Sequence, residues 1–509
     1  MASEGESIIA DAANTAVTRP LARIVAVAAG ALGAAAAIRY HALGLTLSHY
    51  DARAHLVVAR RVFDSLTPGW RQLGGMWLPL PHLLNLLPVA WDMNYRSGAS
   101  AVVISIVSLS LGLAALSAFL YRRTGSIAAA VTAPALILAN PNVLYLQSTP
   151  MTEPLLLGLS LASLAAVDRW ISAPSPRTTR VAGWLLAALV LTRYEGWFVT
   201  IGLLTVAAIA TWPARTRDRG AWMTLLRHPI VPLKLYPVGA VAAFLVLSWA
   251  STGQLLVTSG FYVADNPSRH LPIAAFHEVV SATTALGGLP LAMAGAFGLA
   301  ACLFRWWSSR SVAATLPFAL LLTALLPLSA FDAGHPYRVR YMVPVVAALS
   351  VFAAFAIALA PRRLRWLAAI ALIVVTGWLR PPLDTRAPMV IEAQREAPTQ
   401  RGRRAVTAYL NASYNGTPIL ACMDSLGHYM QETSAIGLNI KNFVHEGNGD
   451  LWLDALAAPR RHVEWILIET LAEGGDQLAQ LSWRDPQFLS GFNEVAEGGG
   501  AVLYRRAHR

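Results

Sequence analysis

Charge is scarce in this chain. Only 13% of its 509 residues are Asp, Glu, Lys or Arg, about half the share of an ordinary soluble domain, and a conventional water-soluble globule is excluded on that ground. Cysteine is nearly absent too: Cys302 lies inside an apolar run and Cys422 near the C-terminus, in segments with no reason to meet, so no disulfide framework follows. The sequence carries no basic-aromatic motif for nucleic acid, no internal repeat and no low-complexity tract. The N-terminus "MASEGESIIADAANTAVTRPLAR" is acidic before it is basic and has no clear cleavage site ahead of its apolar run, which is therefore expected to stay as a helix.

What is abundant is apolar sequence. Hydrophobic residues make up 55% of the chain and mean hydropathy is +0.49, the balance of a polytopic membrane protein. The net charge of +12 comes almost wholly from arginine, which fits membrane topology and anionic membrane lipids as partners and gives no role to nucleic acid. A span needs roughly 17–25 apolar residues, and about eleven candidates meet that. They lie near 22–43, 98–120, 126–146, 151–168, 178–193, 196–212, 236–252, 286–304, 312–331, 341–360 and 364–379. Some abut so closely, notably across Thr192–Trp197, that the number is open by one or two.

Basic residues alternate between the loops. Arg122/Arg123, Arg169/Arg177/Arg180, Arg215/Arg217/Arg219/Arg227/Lys234, Arg305/Arg310 and Arg362/Arg363/Arg365 fall on one side, which the positive-inside rule makes cytoplasmic. Residues 46–97, 147–150, 193–195, 253–285, 332–340 and everything after about 380 then lie outside. Residues 46–97 break the rule, since they hold five arginines, and a segment translocated despite its charge calls for a functional reason. After the linker "RPPLDTRAP" the short β-rich runs "TPILACMD", "KNFVHEG", "VEWILIET" and "GAVLYRRA" alternate with the helical "SLGHYMQETSAI" and "GDQLAQLSWRD". The expected architecture is an α-helical polytopic membrane protein. Its transmembrane domain spans 1–380 and includes an extracytoplasmic loop with an amphipathic helix at 46–97. A small extracytoplasmic α/β domain follows over 381–509. The arginine- and alanine-rich composition points to a bacterial cytoplasmic membrane.

The stretch "SHYDARAHLVVARRVF" supplies that amphipathic helix: Leu56, Ala59, Phe63 and Leu66 recur at helical spacing, while Arg53, Arg60, Arg61 and Asp64 lie elsewhere on the wheel. Asp51 and His55, four residues apart, share one face. A structural role is available, since Asp before a helix commonly caps it and the arginines suit lipid headgroups. Other ionisable residues gather on the same side, however. Glu153 sits in "STPMTEPLLLGL" where a span begins, Arg193 and Glu195 in "LTRYEGW" where one ends, and Asp332, His335, Arg338 and Arg340 in "FDAGHPYRVRYMVP" between two more. Ionisable groups at membrane depth are expensive and usually pair or line a cavity, so four loops supplying them to one face describe a site.

These segments, in this order, resemble the polytopic glycosyltransferases of the GT-C superfamily, above all the branch using lipid-phosphate sugars, with its protein O-mannosyltransferases and aminoarabinose transferases. The residues carrying the likeness are "HYDARAHL", "LGGMWLPLPHLL", "MTEPLLL", "LTRYEG" and "YRVRYMVP", over about 20–380. The resemblance implies an inverting enzyme that moves a sugar from a polyprenyl-phosphate donor to an acceptor hydroxyl on a glycan, lipid or protein. In it Asp51 is the general base, Arg338, Arg340 and Arg193 bind the donor phosphate, and His55, Trp77, His82, Glu153, Glu195, His335 and Tyr341 meet substrate. No cofactor is required. One departure stands out: many members have an Asp-Glu pair at the first site, whereas Asp51 is followed by Ala52, so a second carboxylate comes from elsewhere or is not needed.

Each residue also has a plainer reading. Arg338 and Arg340 flank Val339, so they grip one phosphate together if the segment is extended and diverge if it is helical; alternatively they snorkel to headgroups. Arg193 and Glu195 fit a pair closing a helical hairpin, Glu153 a favourable charge at a helix start, and Trp77 an interfacial anchor. His49, His55 and His82 with Glu153 or Asp51 have the chemistry of a divalent-metal site, though no tight ligand spacing supports one. Two other functions compete: a transporter or lipid flippase, which would want mid-membrane charge and repeats, and a membrane-anchored binding or assembly protein. No nucleotide-binding glycine loop is present, since "EGGG" at 497–500 precedes a strand and lacks the spacing.

Overall fold

The computed structural model describes residues 2–73, 75–212, 228–257 and 266–507, with side chains from residue 16 onward. The loop arginines 215, 217, 219 and 227 lie outside the described residues. Among the described residues, seven helices are long and apolar enough to cross a bilayer: Ala16–Ala42, Ala99–Thr124, Glu153–Ser172, Ile230–Thr252, Leu289–Ser309, Val312–Asp332 and Val339–Leu359. Shorter apolar helices occupy Ile127–Ala139 and Glu195–Ala210, and helices also fill the segments Pro176–Val190 and Arg365–Leu379. The expected 126–146 span breaks at Asn140, whose side chain caps a separate helix starting at Pro141. The protein is an integral membrane protein.

Glycine sets how closely these helices approach. The Ala99–Thr124 helix lies between Gly98 and Gly125, both left-handed at φ +72° and +61°, and packs along the Glu153–Ser172 helix. A methyl at Gly112 would stand 2.5 Å from the Gly158 Cα, so only glycine permits the contact. At one end of this pair Arg122 Nη2 reaches Asp168 at 2.9 Å, and Arg123 pairs with the same carboxylate. At the other end the helix opens with Glu153. The ion pairs and the glycine seam together fix where that acid stands.

The C-terminal residues form a five-stranded sheet of order β2-β1-β3-β5-β4, with β1 Ile419–Ala421, β2 Phe443–Val444, β3 Trp465–Glu469, β4 Phe492–Gly498 and β5 Ala501–Arg506. Strands β1, β2 and β3 are parallel, and β5 runs antiparallel to β3 and β4. Strand β4, "FNEVAEG", was not among the expected runs because its largely polar sequence shows no apolar alternation. Along β3, Trp465 and Leu467 enter one core and Ile466 and Ile468 another, as the two-residue period requires. The first of these cores also holds Leu56, Val57 and Ala59, with Val89, Tyr95 and Ala101. The Tyr50–Arg60 helix is therefore clamped between the core of the membrane helices, which its Ala52 enters, and the helix Met423–Thr433 that covers the sheet's first core.

That clamp overturns the expectation that this helix spreads its arginines into lipid headgroups. Arg53 donates to Leu47 O at 2.8 Å and Gln431 Oε1 at 2.7 Å. Arg60 pairs with Asp64 at 2.8 Å and Asp92 at 2.6 Å, and Arg61 donates to Gln72 O at 2.8 Å. Most of the arginine excess of residues 46–97 is thus bound to protein, where charge-assisted hydrogen bonds hold neighbouring segments to the helix.

Candidate functional site

The site grows from the start of the Tyr50–Arg60 helix. His49, not Asp51, caps it: the His49 Nδ1 accepts from the Asp51 backbone N–H at 3.1 Å. The N-cap reading of Asp51 is therefore corrected, and its carboxylate is left free for other partners. The turn before the helix is tied down by Ser48, whose hydroxyl lies 2.8 Å from the Tyr145 hydroxyl. Tyr145 in turn donates to Leu45 O at 3.0 Å.

From Asp51 an alternating chain of charge links four loops. Asp51 pairs with the Arg340 guanidinium. Arg340 lies 3.7 Å from Glu153, Glu153 is 3.1 Å from Arg193, and Arg193 is 2.8 Å from Glu195. All five side chains are largely or wholly withdrawn from solvent. Arg193 thus joins the acid of its own turn to the acid that opens another helix, and the hairpin-pair reading describes only part of its contacts. The two Glu153 oxygens accept no hydrogen bond of good geometry, so this carboxylate, 0% exposed, is held by ion pairing alone.

Arg338 and Arg340 converge on consecutive residues of one helix start. Arg338 has extended backbone and Val339 opens a 3-10 turn. Arg340 reaches Asp51, while the Arg338 guanidinium lies 6.0 Å from the Tyr50 ring centre and donates to Glu473 at 2.5 Å. Both arginines are buried, which removes the snorkelling alternative. Glu392 fixes the peptide between them: its Oε2 accepts from Val339 N–H at 2.9 Å, and its Oε1 lies 3.8 Å from His49 Nε2. Arg340 Nη1 is also 2.8 Å from His49 Nε2. Tyr341 lies under Arg340 and Arg193, 5.3 and 5.9 Å from ring centre to guanidinium, and His335 stands 5.6 Å from the Tyr341 ring.

A second group adjoins the first through His55, one turn along from Asp51. His55 Nδ1 and His82 Nε2 are 3.1 Å apart, and the half-buried Trp77 ring lies 4.1 Å from His55. Trp77 is thus packed on an imidazole rather than standing as a lone interfacial anchor. Among the described residues no three His, Cys, Asp or Glu side chains are grouped to hold a metal; His55 and His82 bond each other instead.

Electrostatics follows from this packing. Burial alone would raise the Asp51 carboxyl, but Arg340, helped by His49 and His55, holds it well below the usual carboxylate range. Burial pushes His55 down to about 3 against the pull of Asp51, and His82 well below its ordinary value, so both imidazoles are neutral at pH 7. Burial would also raise Glu392, yet His49 and Arg340 leave it lowered.

These contacts bring together the candidate site residues named from the sequence, but not Asp332, whose backbone O accepts from His270 N–H at 2.7 Å. Sequence reasoning missed Glu392, Glu473 and the capping role of His49. Glu392 carried a usable signal: in "PMVIEAQ" it is a lone acid among apolar residues just past the last span, the same pattern that drew notice to Glu153. Glu473 carried none, since "LAEGGDQ" reads as an ordinary solvated turn.

No protein-family model matches the chain, and no curated protein does. Solved structures do. ArnT from Cupriavidus metallidurans bound to undecaprenyl phosphate superposes with a TM-score of 0.53 at 15% identity, over 93% of this chain and 97% of that one. The apo state of the same protein gives 0.51 at 14%, over 92% and 97%. The likeness spans the membrane helices and the C-terminal sheet together. The chain has the fold of these ArnT structures.

Proposed function

We propose that this protein is an inverting glycosyltransferase that moves a sugar from a polyprenyl-phosphate donor to an acceptor hydroxyl at the outer face of a bacterial cytoplasmic membrane. A polyprenyl chain cannot leave the bilayer, so the donor's reacting end must be met at the membrane surface. The observation that carries the reading is the convergence of Arg338 and Arg340 on Tyr50 and Asp51, which sets a carboxylate beside two buried guanidinium groups. The fold supports it, since the ArnT structure holds undecaprenyl phosphate.

In the proposed reaction the acceptor oxygen attacks the anomeric carbon and gives its proton to Asp51. The bond from that carbon to the phosphate oxygen breaks, and the polyprenyl phosphate leaves with the electron pair. Arg338 and Arg340 stabilise the charge that develops on it, and attack from the opposite face inverts the anomeric centre. A phosphate needs no acid to depart. Glu153 and Glu195, anchored by Arg193, accept sugar hydroxyls; the unfilled hydrogen-bonding capacity of Glu153 supports that role. His55, His82 and Trp77 form one wall, with Trp77 a face for a sugar ring and neutral imidazoles as hydroxyl partners. His335 and Tyr341 close the opposite side. Residues 381–509 are the extracytoplasmic domain that covers the site.

The test is transfer by the purified protein from radiolabelled polyprenyl-phosphate sugars into membrane extract. Removing a general base typically costs about 10²–10⁴-fold, so Asp51→Asn should fall by that order while binding of the donor survives. Undiminished transfer by the variant removes Asp51 as base.

A further inference from the structure

Both guanidinium groups assigned to the donor phosphate already hold carboxylates. Arg340 is taken by Asp51, and Arg338 by Glu473, 135 positions further along the chain. A phosphate oxygen cannot bond either arginine fully while its carboxylate stays. The two carboxylates differ in how readily they leave. Asp51 is 9% exposed and lies in the first turn of a helix clamped on both sides, so it has no other place to go. The Glu473 side chain is 47% exposed and rides on a tight turn closed by Gly475 N–H donating to Ala472 O at 2.9 Å. Gly474 and Gly475 both have φ +90°, a left-handed backbone in which glycine is at ease.

The ends of this segment are anchored while its middle is not. Thr470 N–H donates to Gly500 O at 2.8 Å, and Leu471 N–H to Glu469 Oε1 at 3.0 Å. On the far side Asp476 caps the helix Gln477–Arg484, accepting from Ala479 N–H at 2.8 Å. Between these points Ala472–Gly475 makes no bond to the membrane helices other than the one through Glu473, among the described residues. Release of Glu473 would expose a charge that is already half in water, whereas Arg338, buried in the site, would be left needing an anion.

We propose, resting on the glycosyltransferase reading, that Glu473 is a place-holder for the donor's phosphate. It neutralises Arg338 in the empty enzyme and is displaced, with its turn, when a lipid-linked phosphate docks. The exchange has two consequences. Arg338 and Arg340 then share one phosphate, which loosens Arg340 from Asp51 and restores the basicity that the ion pair suppresses. The displaced turn belongs to the C-terminal sheet, so donor docking is felt in the region that covers the site, and donor binds before acceptor.

The experiment uses the full chain in nanodiscs with two probes, undecaprenyl phosphate and inorganic phosphate, and four proteins: wild type, Glu473→Gln, Arg338→Gln and the double variant. A half-exposed ion pair competes weakly, so Glu473→Gln should lower the Kd for undecaprenyl phosphate about two- to fivefold, and the gain should vanish in the Arg338→Gln background. In wild type, undecaprenyl phosphate should speed amide hydrogen exchange across 470–476. A gain with inorganic phosphate as well means that the phosphate alone displaces Glu473; a gain with the lipid only means that the chain must deliver it, and both support the proposal. Binding by Glu473→Gln no tighter than wild type, or unchanged exchange in 470–476, overturns it. Failure of every folded variant, wild type included, to bind undecaprenyl phosphate overturns the glycosyltransferase reading itself, a separable result.

Discussion

Replacing Arg340 by Met keeps most of the side chain's length and removes its charge, and the structure says what that removal does. Arg340 is 5% exposed, and its guanidinium serves Asp51, Glu153 at 3.7 Å and His49 at 2.8 Å. Glu153 would still have Arg193 at 3.1 Å, but Asp51 would lose the arginine paired with it and stay buried. Breaking a buried pair by deleting one member costs about 3–5 kcal/mol. The pH dependence gives the sharper signature. In wild type the Asp51 pKa lies below its unfolded value, so the stabilising effect of its pairing is fully present above about pH 4 and is lost only as pH falls through the depressed folded value. In Arg340→Met, burial acts with only the histidines against it and the folded pKa rises above the unfolded one; the penalty of an ionised Asp51 then grows as pH rises and shrinks as pH falls. Scanning fluorimetry of the purified protein should therefore show a gap between wild type and variant that is widest near pH 8 and narrows toward pH 5. Adding Asp51→Asn to the variant should recover much of the loss. A gap of equal size at pH 5 and pH 8, or none, refutes the reasoning.

Three further outcomes follow from the same geometry. Gly158→Val forces a branched side chain into the seam with the Ala99–Thr124 helix and should destabilise by about 1–3 kcal/mol or more, lowering both thermal stability and transfer because Glu153 shifts. His55, held down to about 3 by burial, is neutral when folded but charges when unfolded below about pH 6.5, so it withdraws stability as pH falls; His55→Gln should remove about 2 kcal/mol of the loss between pH 7 and pH 5, seen as a flatter melting profile. Arg53→Ala should cost about 1.5–3 kcal/mol, since it breaks charged hydrogen bonds between the helix and Gln431, whereas the exposed Arg71→Ala should stay within about 0.5 kcal/mol; parallel melts of the two variants decide it.

Apolar length and arginine placement made the membrane helices legible, because the bilayer demands long hydrophobic segments whatever their packing. The β-rich runs at 419–421 and 465–469 were legible for a similar reason: burial on both faces leaves continuous apolar strands. Lone acids and arginines at the ends of spans marked out the region of the candidate site, since such groups are too costly there to be incidental. What could not be read were partners. Arg53, Arg60 and Arg61 have the same helical spacing whether they face phospholipid or protein, and only the tertiary structure reveals that Gln431 and Met423 take Arg53 and Arg61 while Asp64 and Asp92 hold Arg60. His49 takes the cap because its ring folds back on Asp51 N–H, a local conformation that a propensity for Asp at helix starts obscures. Glu392 and Glu473 join the site across 53 and 135 positions from Val339 and Arg338, distances over which a single sequence carries no register.

In the proposed reaction Arg338 and Arg340 seat a phosphate beside Asp51. A cryo-electron microscopy structure of the protein in nanodiscs with undecaprenyl phosphate tests this directly. Density for the phosphate should lie within hydrogen-bond distance of both guanidinium groups, at the start of the Tyr50–Arg60 helix, with the isoprenoid chain running into the bilayer. A phosphate bound elsewhere, with Arg340 still on Asp51 and Arg338 still on Glu473, would contradict it.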